Sequence, residues 1–222
     1  MNINLLITIL NRGNLSRIRS LYEKNGISPL IMMLGSGTAT PGQLRMLGLD
    51  ASEKALIAGV INGSETHSFF NKAKKEMMID VPGNGVMMTV PIKSIVGGKT
   101  LAYMTNGGEP DKEKPTMEFN NELIVVVLNS GFTDDVMDTA REAGAGGGTV
   151  IHAKGTGAKL ASKFFGVNLA EEKEVLFIAE RKEKKSKIMQ AIAEKMGPQT
   201  SAGAICFSLP ISEIAGIRSL ED

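Results

Sequence analysis

The chain has 222 residues, 42% of them hydrophobic and 22% charged, a balance that allows a sizeable core in one or two ordinary domains and excludes a disordered chain. With 25 Lys and Arg against 24 Asp and Glu the net charge is +1, so neither nucleic acid nor an acidic membrane is an expected partner, and any anion site must be local. A single cysteine, Cys206, excludes a disulfide framework and points to a reducing, cytoplasmic interior.

The first apolar run, LLITIL within residues 3–10, has no basic residues before it and is too short to span a bilayer; it reads as a strand. A helix is predicted over 15–24, a strand over 28–34, an excursion through TPGQLRMLGLDASE, a strand over 54–61, a helix over 64–78 and a strand over 86–90. Residues 97–120, GGKTLAYMTNGGEPDKEKPTMEFN, are rich in Gly, Pro and charge without a sustained apolar period, and read as a linker.

The series then repeats. Residues 121–128 carry a β-branched run, and Phe132-Thr133-Asp134-Asp135 supplies a Thr N-cap, two first-turn acids and a Phe staple for a helix whose inward residues include Val136, Met137 and Ala140. Strands follow over 149–153 and 174–179, a helix over 184–196 and a strand over 204–209, with the excursion AKLASKFFGVNLAEE between the first two. Gly13 and Gly131, Gly26 and Gly144, Gly37 and Gly155, and Gly48 and Gly166 are each 118 positions apart; Pro91 and Pro210 are 119 apart. The chain is therefore read as copy one, 1–97, a linker, 98–120, and copy two, 121–222. Each copy has the order βαββαβ, and the expected fold is α+β, two tandem ferredoxin-like domains.

Glycine is concentrated in GAGGGTVIHAKGTG, residues 144–157. Gly144 to Gly148 follow a helix and precede a strand, the reverse of a dinucleotide-binding fingerprint, so they read as a helix stop and a tight reversal. No P-loop is present. Gly155-Thr156-Gly157, where strand two leaves the sheet, can aim several N–H groups into an anion nest flanked by Lys154 and Lys159; its counterpart is Gly35-Ser36-Gly37.

The βαββαβ order, the glycine pair at the base of an excursion and the Leu-Pro-Ile turn after the last strand, in SLPISEIAGIR, resemble the PII signal-transduction proteins and their PII-like relatives. The resemblance covers both copies. It implies a cytoplasmic homotrimer that senses ATP, ADP or another small anionic ligand between neighbouring units and regulates a partner, such as a transporter or an enzyme, through its loops. Matching positions are Gly35, Gly37, Gly155, Thr156 and Gly157 at the loop bases, and Gly83 and Gly85 for the family's Gly-Asp-Gly-Lys turn. Arg218, eight positions past Pro210, meets the family's second arginine, as does Lys99 past Pro91; Lys154 flanks the nest. Val86 stands where that turn has lysine, and Gly97 and Gly216 stand where the first arginine would be, so contacts to a triphosphate are lost.

The rival reading is a small-molecule-processing enzyme, with His152 or His67 and acids such as Asp80 or Glu180. Neither histidine has a paired context, and His152 on an apolar strand reads as a core residue. Two His and one Cys at unrelated spacings support no metal site. ERKEKKSK, with acids interleaved, reads as a solvated helix start. The apolar pairs Met46-Leu47 and Phe164-Phe165 in the excursions would be docking knobs if exposed and core if packed. Finally, LLITIL, ELIVVV and AICFSL barely alternate, which implies burial on both faces, so the face without helices is expected to meet another protein surface; the PII resemblance implies that it does so with other subunits around a three-fold axis.

Overall fold

In the computed structural model, β1 (Ile3–Asn11), β2 (Pro29–Gly37), β3 (Glu53–Asn62) and β4 (Gly85–Pro91) belong to copy one, with helices α1 (Leu15–Lys24) and α2 (Gly63–Met77) between them. Copy two supplies β5 (Asn121–Asn129), α3 (Thr133–Glu142), β6 (Thr149–Lys154), a small hairpin of β7 (Lys163–Phe164) and β8 (Val167–Asn168), β9 (Glu172–Arg181), α4 (Lys182–Met196), β10 (Ile205–Ile211) and β11 (Glu213–Ala215). The structure describes residues 2–27, 29–38, 53–92, 102, 107, 119–154, 163–164, 167–168 and 172–217. Both βαββαβ series are present. Among the described residues no helix is long and apolar enough to cross a membrane.

All main strands join one antiparallel sheet in the order β10-β5-β9-β6-β2-β3-β1-β4-β11. Each copy contributes four strands in the ferredoxin-like order, fourth, first, third, second, and the copies are joined at their second strands, where Gly35, Ser36 and Gly37 pair with Ile151, Val150 and Thr149. A single residue, Ser212, separates β10 at one margin from β11 at the other, where Glu213 to Ala215 pair with Thr89 to Met87 of copy one. The sheet therefore curls round on itself.

This curling decides where the apolar strands are buried. One face of each half packs under its own helices: Leu6, Leu10, Ile57 and Met87 with Ile18, Tyr22 and Phe70 in copy one, and Ile124, Val126, Leu176 and Ile178 with Val136, Ile188 and Ile192 in copy two. The opposite faces meet each other. Ile7, Ile9, Leu56, Ala58, Met88 and Val90 share a single cluster with Leu123, Val125, Ile151 and Ile211. The helix-free faces are expected to meet other subunits around a three-fold axis; much of them is instead covered within one chain, while Ile31, Ile205 and Phe207 on the same faces stay exposed.

Local chemistry explains most element boundaries. Gly144, at φ +106°, ends α3, and its N–H reaches Arg141 O at 2.8 Å. The N–H of Gly146 donates to Glu180 Oε1 at 2.6 Å, while Gly148 lies so close to β9 that a β-carbon would come within 2.9 Å of Phe177 O. The glycine cluster is structural, as its order predicted. Thr133 does not cap α3: the cap position is Phe132, without a side-chain bond, and the Thr133 hydroxyl is drawn to Glu174 Oε2 at 2.6 Å. Phe132 packs against the copy-two core. In copy one the buried Tyr22 stacks edge-on against Phe69, ring centres 5.5 Å apart, and its hydroxyl meets Thr8 Oγ1 at 2.8 Å.

Candidate functional site

The best-defined site geometry lies where copy two's tail crosses copy one. After α2 the chain turns through Met78, left-handed at φ 50°, and is tied by Val81 N to Met78 O at 3.0 Å, Asn84 N to Val81 O at 3.1 Å and Asn84 Nδ2 to Met78 O at 3.0 Å. Gly83 and Gly85 follow at φ +91° and +147°. Beside them comes Gly216, at φ +92°, just past β11. A β-carbon on Gly216 would stand 2.1 Å from Gly85 O and 2.7 Å from Ile79 O, and one on Gly85 would stand 2.4 Å from Ile9 O. Only glycine admits this crossing. Met78 and Val81, 55% and 44% exposed, give the turn an apolar rim.

The structure thus brings Gly83 and Gly85 of one copy to the segment of the other that leads, two residues later, to Arg218. Arg218 itself, Lys99, Gly155, Thr156 and Gly157 lie outside the described residues, as does the side chain of Lys154. The backbone of Lys154 ends β6 opposite Glu172.

Gly35 and Gly37 have another explanation than a ligand loop. Gly37 is the last residue of strand two, as expected, but both glycines pair with β6 at the seam, where a β-carbon on Gly35 would stand 2.3 Å from Val150 O. Leu34, Ala55, Leu10 and Gly85 occupy one row across β2, β3, β1 and β4, so three strand spacings, about 14 Å, separate the two glycine groups. The structure does not bring them together.

The enzyme candidates also disperse. His152 is 70% exposed, which corrects its reading as a core residue; its Nδ1 is 3.4 Å from Glu174 Oε1. His67 faces Glu213 of β11 at 3.4 Å from α2. The carboxylate of Glu180 is occupied by Gly146 N–H and lies 3.8 Å from Lys184 Nζ. Burial pushes the Cys206 thiol up to about 11, which makes it a poor nucleophile. Among the described residues no group of three or more His, Cys, Asp or Glu could hold a metal ion.

Two polar clusters escaped the sequence. Glu174, buried, receives Ser130 Oγ at 3.2 Å, Gly131 N at 3.3 Å and Thr133 Oγ1 at 2.6 Å, and so fixes the turn from β5 into α3. Thr38, just past β2, is tied to Gly148 and Arg141 of copy two. The only available signal was a difference between copies: the position equivalent to Arg141 is Glu23.

Residues 121–221 match the family described as Nitrogen regulatory protein P-II. No curated protein matches the chain at a significant level. Among solved structures, an unknown protein from Galdieria sulphuraria aligns at 9% identity and TM-score 0.29, covering 94% of this chain and 98% of that one. An acetolactate synthase small subunit from Thermotoga maritima aligns at 11% identity and TM-score 0.26, covering 97% and 92%. A mutant chlorite dismutase from Candidatus Nitrospira defluvii aligns at 11% identity and TM-score 0.22, covering 93% and 90%.

Proposed function

We propose that this chain, whose residues 121–221 match the P-II family, is a cytoplasmic regulatory protein rather than an enzyme, sensing a small anionic metabolite and passing the signal to a partner protein. In this reading it consists of two PII-like copies, 1–97 and 121–222, with 98–120 as the linker. The ligand is an adenine nucleotide or a smaller anion, held where the turn Gly83 to Gly85 meets copy two's tail, with Arg218 as the cation. Lys154 with Gly155, Thr156 and Gly157, and Lys99 in the linker, are the further candidate contacts, and the partner is a transporter or an enzyme engaged by the excursions. Assembly beyond one chain, including the trimer of the family resemblance, would use the apolar residues that the single chain leaves exposed, Ile31, Met32 and Leu34 of β2 and Ile205 and Phe207 of β10.

The observation that supports this reading most is the approach of Gly216 to Gly85, which joins two family positions from different copies. A single arginine beside the half-buried glycine turn Gly83 to Gly85 suits a ligand with one or two phosphates better than three. The test is isothermal titration with ATP, ADP, AMP and inorganic phosphate, beside a screen for hydrolysis products. Saturable binding without turnover, weakened about tenfold or more by Arg218→Ala, is expected on the scale of one charge-assisted contact. Hydrolysis, or binding untouched by that substitution, overturns the assignment.

A further inference from the structure

We propose that Arg141 is a positioning residue that sets, from copy two, the point at which copy one's chain leaves the sheet. Thr38 is the first residue past β2 and is buried. Its N–H donates to Gly148 O at 3.0 Å, and its hydroxyl bridges the same residue, donating to Gly148 O and accepting from Gly148 N–H, both at 2.9 Å. Arg141, on the last turn of α3, donates through Nη2 to Thr38 O and through Nη1 to Asp138 Oδ1 at 2.6 Å.

The burial of Arg141 shows that these contacts govern its side chain. Only 18% of it is exposed, and its Nε is buried with no partner, an arrangement that costs free energy a solvated arginine would avoid. A pair with Asp138 alone, at i, i+3 on the helix surface, needs no burial. The guanidinium is held in because its other edge reaches the Thr38 carbonyl, the last described main-chain acceptor before the excursion. Every main-chain polar group of Thr38 thus answers to copy two.

The repeat makes the device one-sided. Glu23 occupies the position of Arg141 in copy one and accepts from Arg19 Nε at 2.8 Å on the surface; a carboxylate cannot donate to a carbonyl. Copy one's helix therefore offers no matching donor at this position. A displacement of the end of α3, or of the loop Gly144 to Gly148 behind it, is carried to Thr38.

Hydrogen exchange on the full chain tests this without knowledge of any ligand. Arg141→Ala should speed exchange at Thr38 and the residues that follow by about tenfold or more, the factor expected for one charge-assisted bond, while amides of β1 and β5 keep their rates. Arg141→Lys, which retains one donor and the charge, should restore part of the protection, and Glu23→Ala should leave Thr38 unchanged. If Arg141→Ala does not fold, Asp138→Ala, which releases the guanidinium's anchor at an exposed position, should show the same local acceleration in weaker form. Unchanged exchange at Thr38 in the Arg141 variants, or acceleration spread evenly over the sheet, overturns the proposal.

Discussion

Gly216 of copy two lies over Gly85 of copy one so closely that a β-carbon on the former would stand 2.1 Å from the carbonyl oxygen of the latter, and both glycines have positive φ. Strain and collision reinforce each other there. Gly216→Ala should cost about 2–4 kcal/mol, read as a lowered urea midpoint. Gly13→Ala, a site with nothing within 4 Å, should stay within about 0.5 kcal/mol and serves as the control.

Glu174 organises the entry to α3 through bonds from Ser130, Gly131 and Thr133. Its replacement by Ala strands the Thr133 hydroxyl and the Gly131 N–H, and should cost about 2–4 kcal/mol in chemical denaturation. Glu174→Gln keeps the shape and should cost less. Equal losses for the two would mean that the second acceptor oxygen and the charge, not the volume, are what the site requires.

Cys206 should resist alkylation. With its thiol raised from 9.0 to about 11 by burial, the thiolate fraction at pH 8 falls about a hundredfold, so iodoacetamide should react far more slowly with the native chain than with the chain in denaturant. The same shift has a defined sign for stability: the contribution is whole below pH 9, where both states are protonated, and is lost as pH rises toward 11. Tyr22, raised further by burial against the lowering effect of its Thr8 hydrogen bond, adds a loss that begins above pH 10. Denaturation midpoints measured from pH 8 to 11 should fall, and Cys206→Ala should flatten the first part of that fall.

Neither half should be content alone. Residues 121–222 expressed by themselves would expose Leu123, Val125, Ile151 and Ile211, which the intact chain covers with copy one. Light scattering at micromolar concentration should show self-association of this fragment. A folded monomer would mean that the shared inner core contributes little.

The strands and helices were legible because their periods and turn residues are local: the order βαββαβ, the 144–148 reversal and the inward residues of α3 can be read from neighbours along the chain. Thr133 shows where that reading stops. Its capping role was plausible on local grounds, but Glu174, 41 positions away, competes for the hydroxyl and wins. Burial on both strand faces was legible too; what covers the second face was not, because periodicity records that a residue is buried and not by whom. Gly35 illustrates the same limit at the candidate site. Its glycine reads equally as a ligand loop or a close strand, and only Val150, in the other copy, distinguishes them.

The handover at Ser212 also orders events in time. Residues 213–215, which complete the margin of copy one at β4, are synthesised long after β4 itself, and the inner face of copy one has no cover until copy two exists. A nascent chain therefore carries Ile7, Ile9, Leu56 and Val90 unprotected while more than a hundred further residues are added, and the β4–β11 pairing joins segments about 125 residues apart. Such non-local pairing is slow and exposes apolar surface to aggregation. Correct folding of this protein thus depends on how the first half is shielded during translation as much as on the stability of the finished sheet.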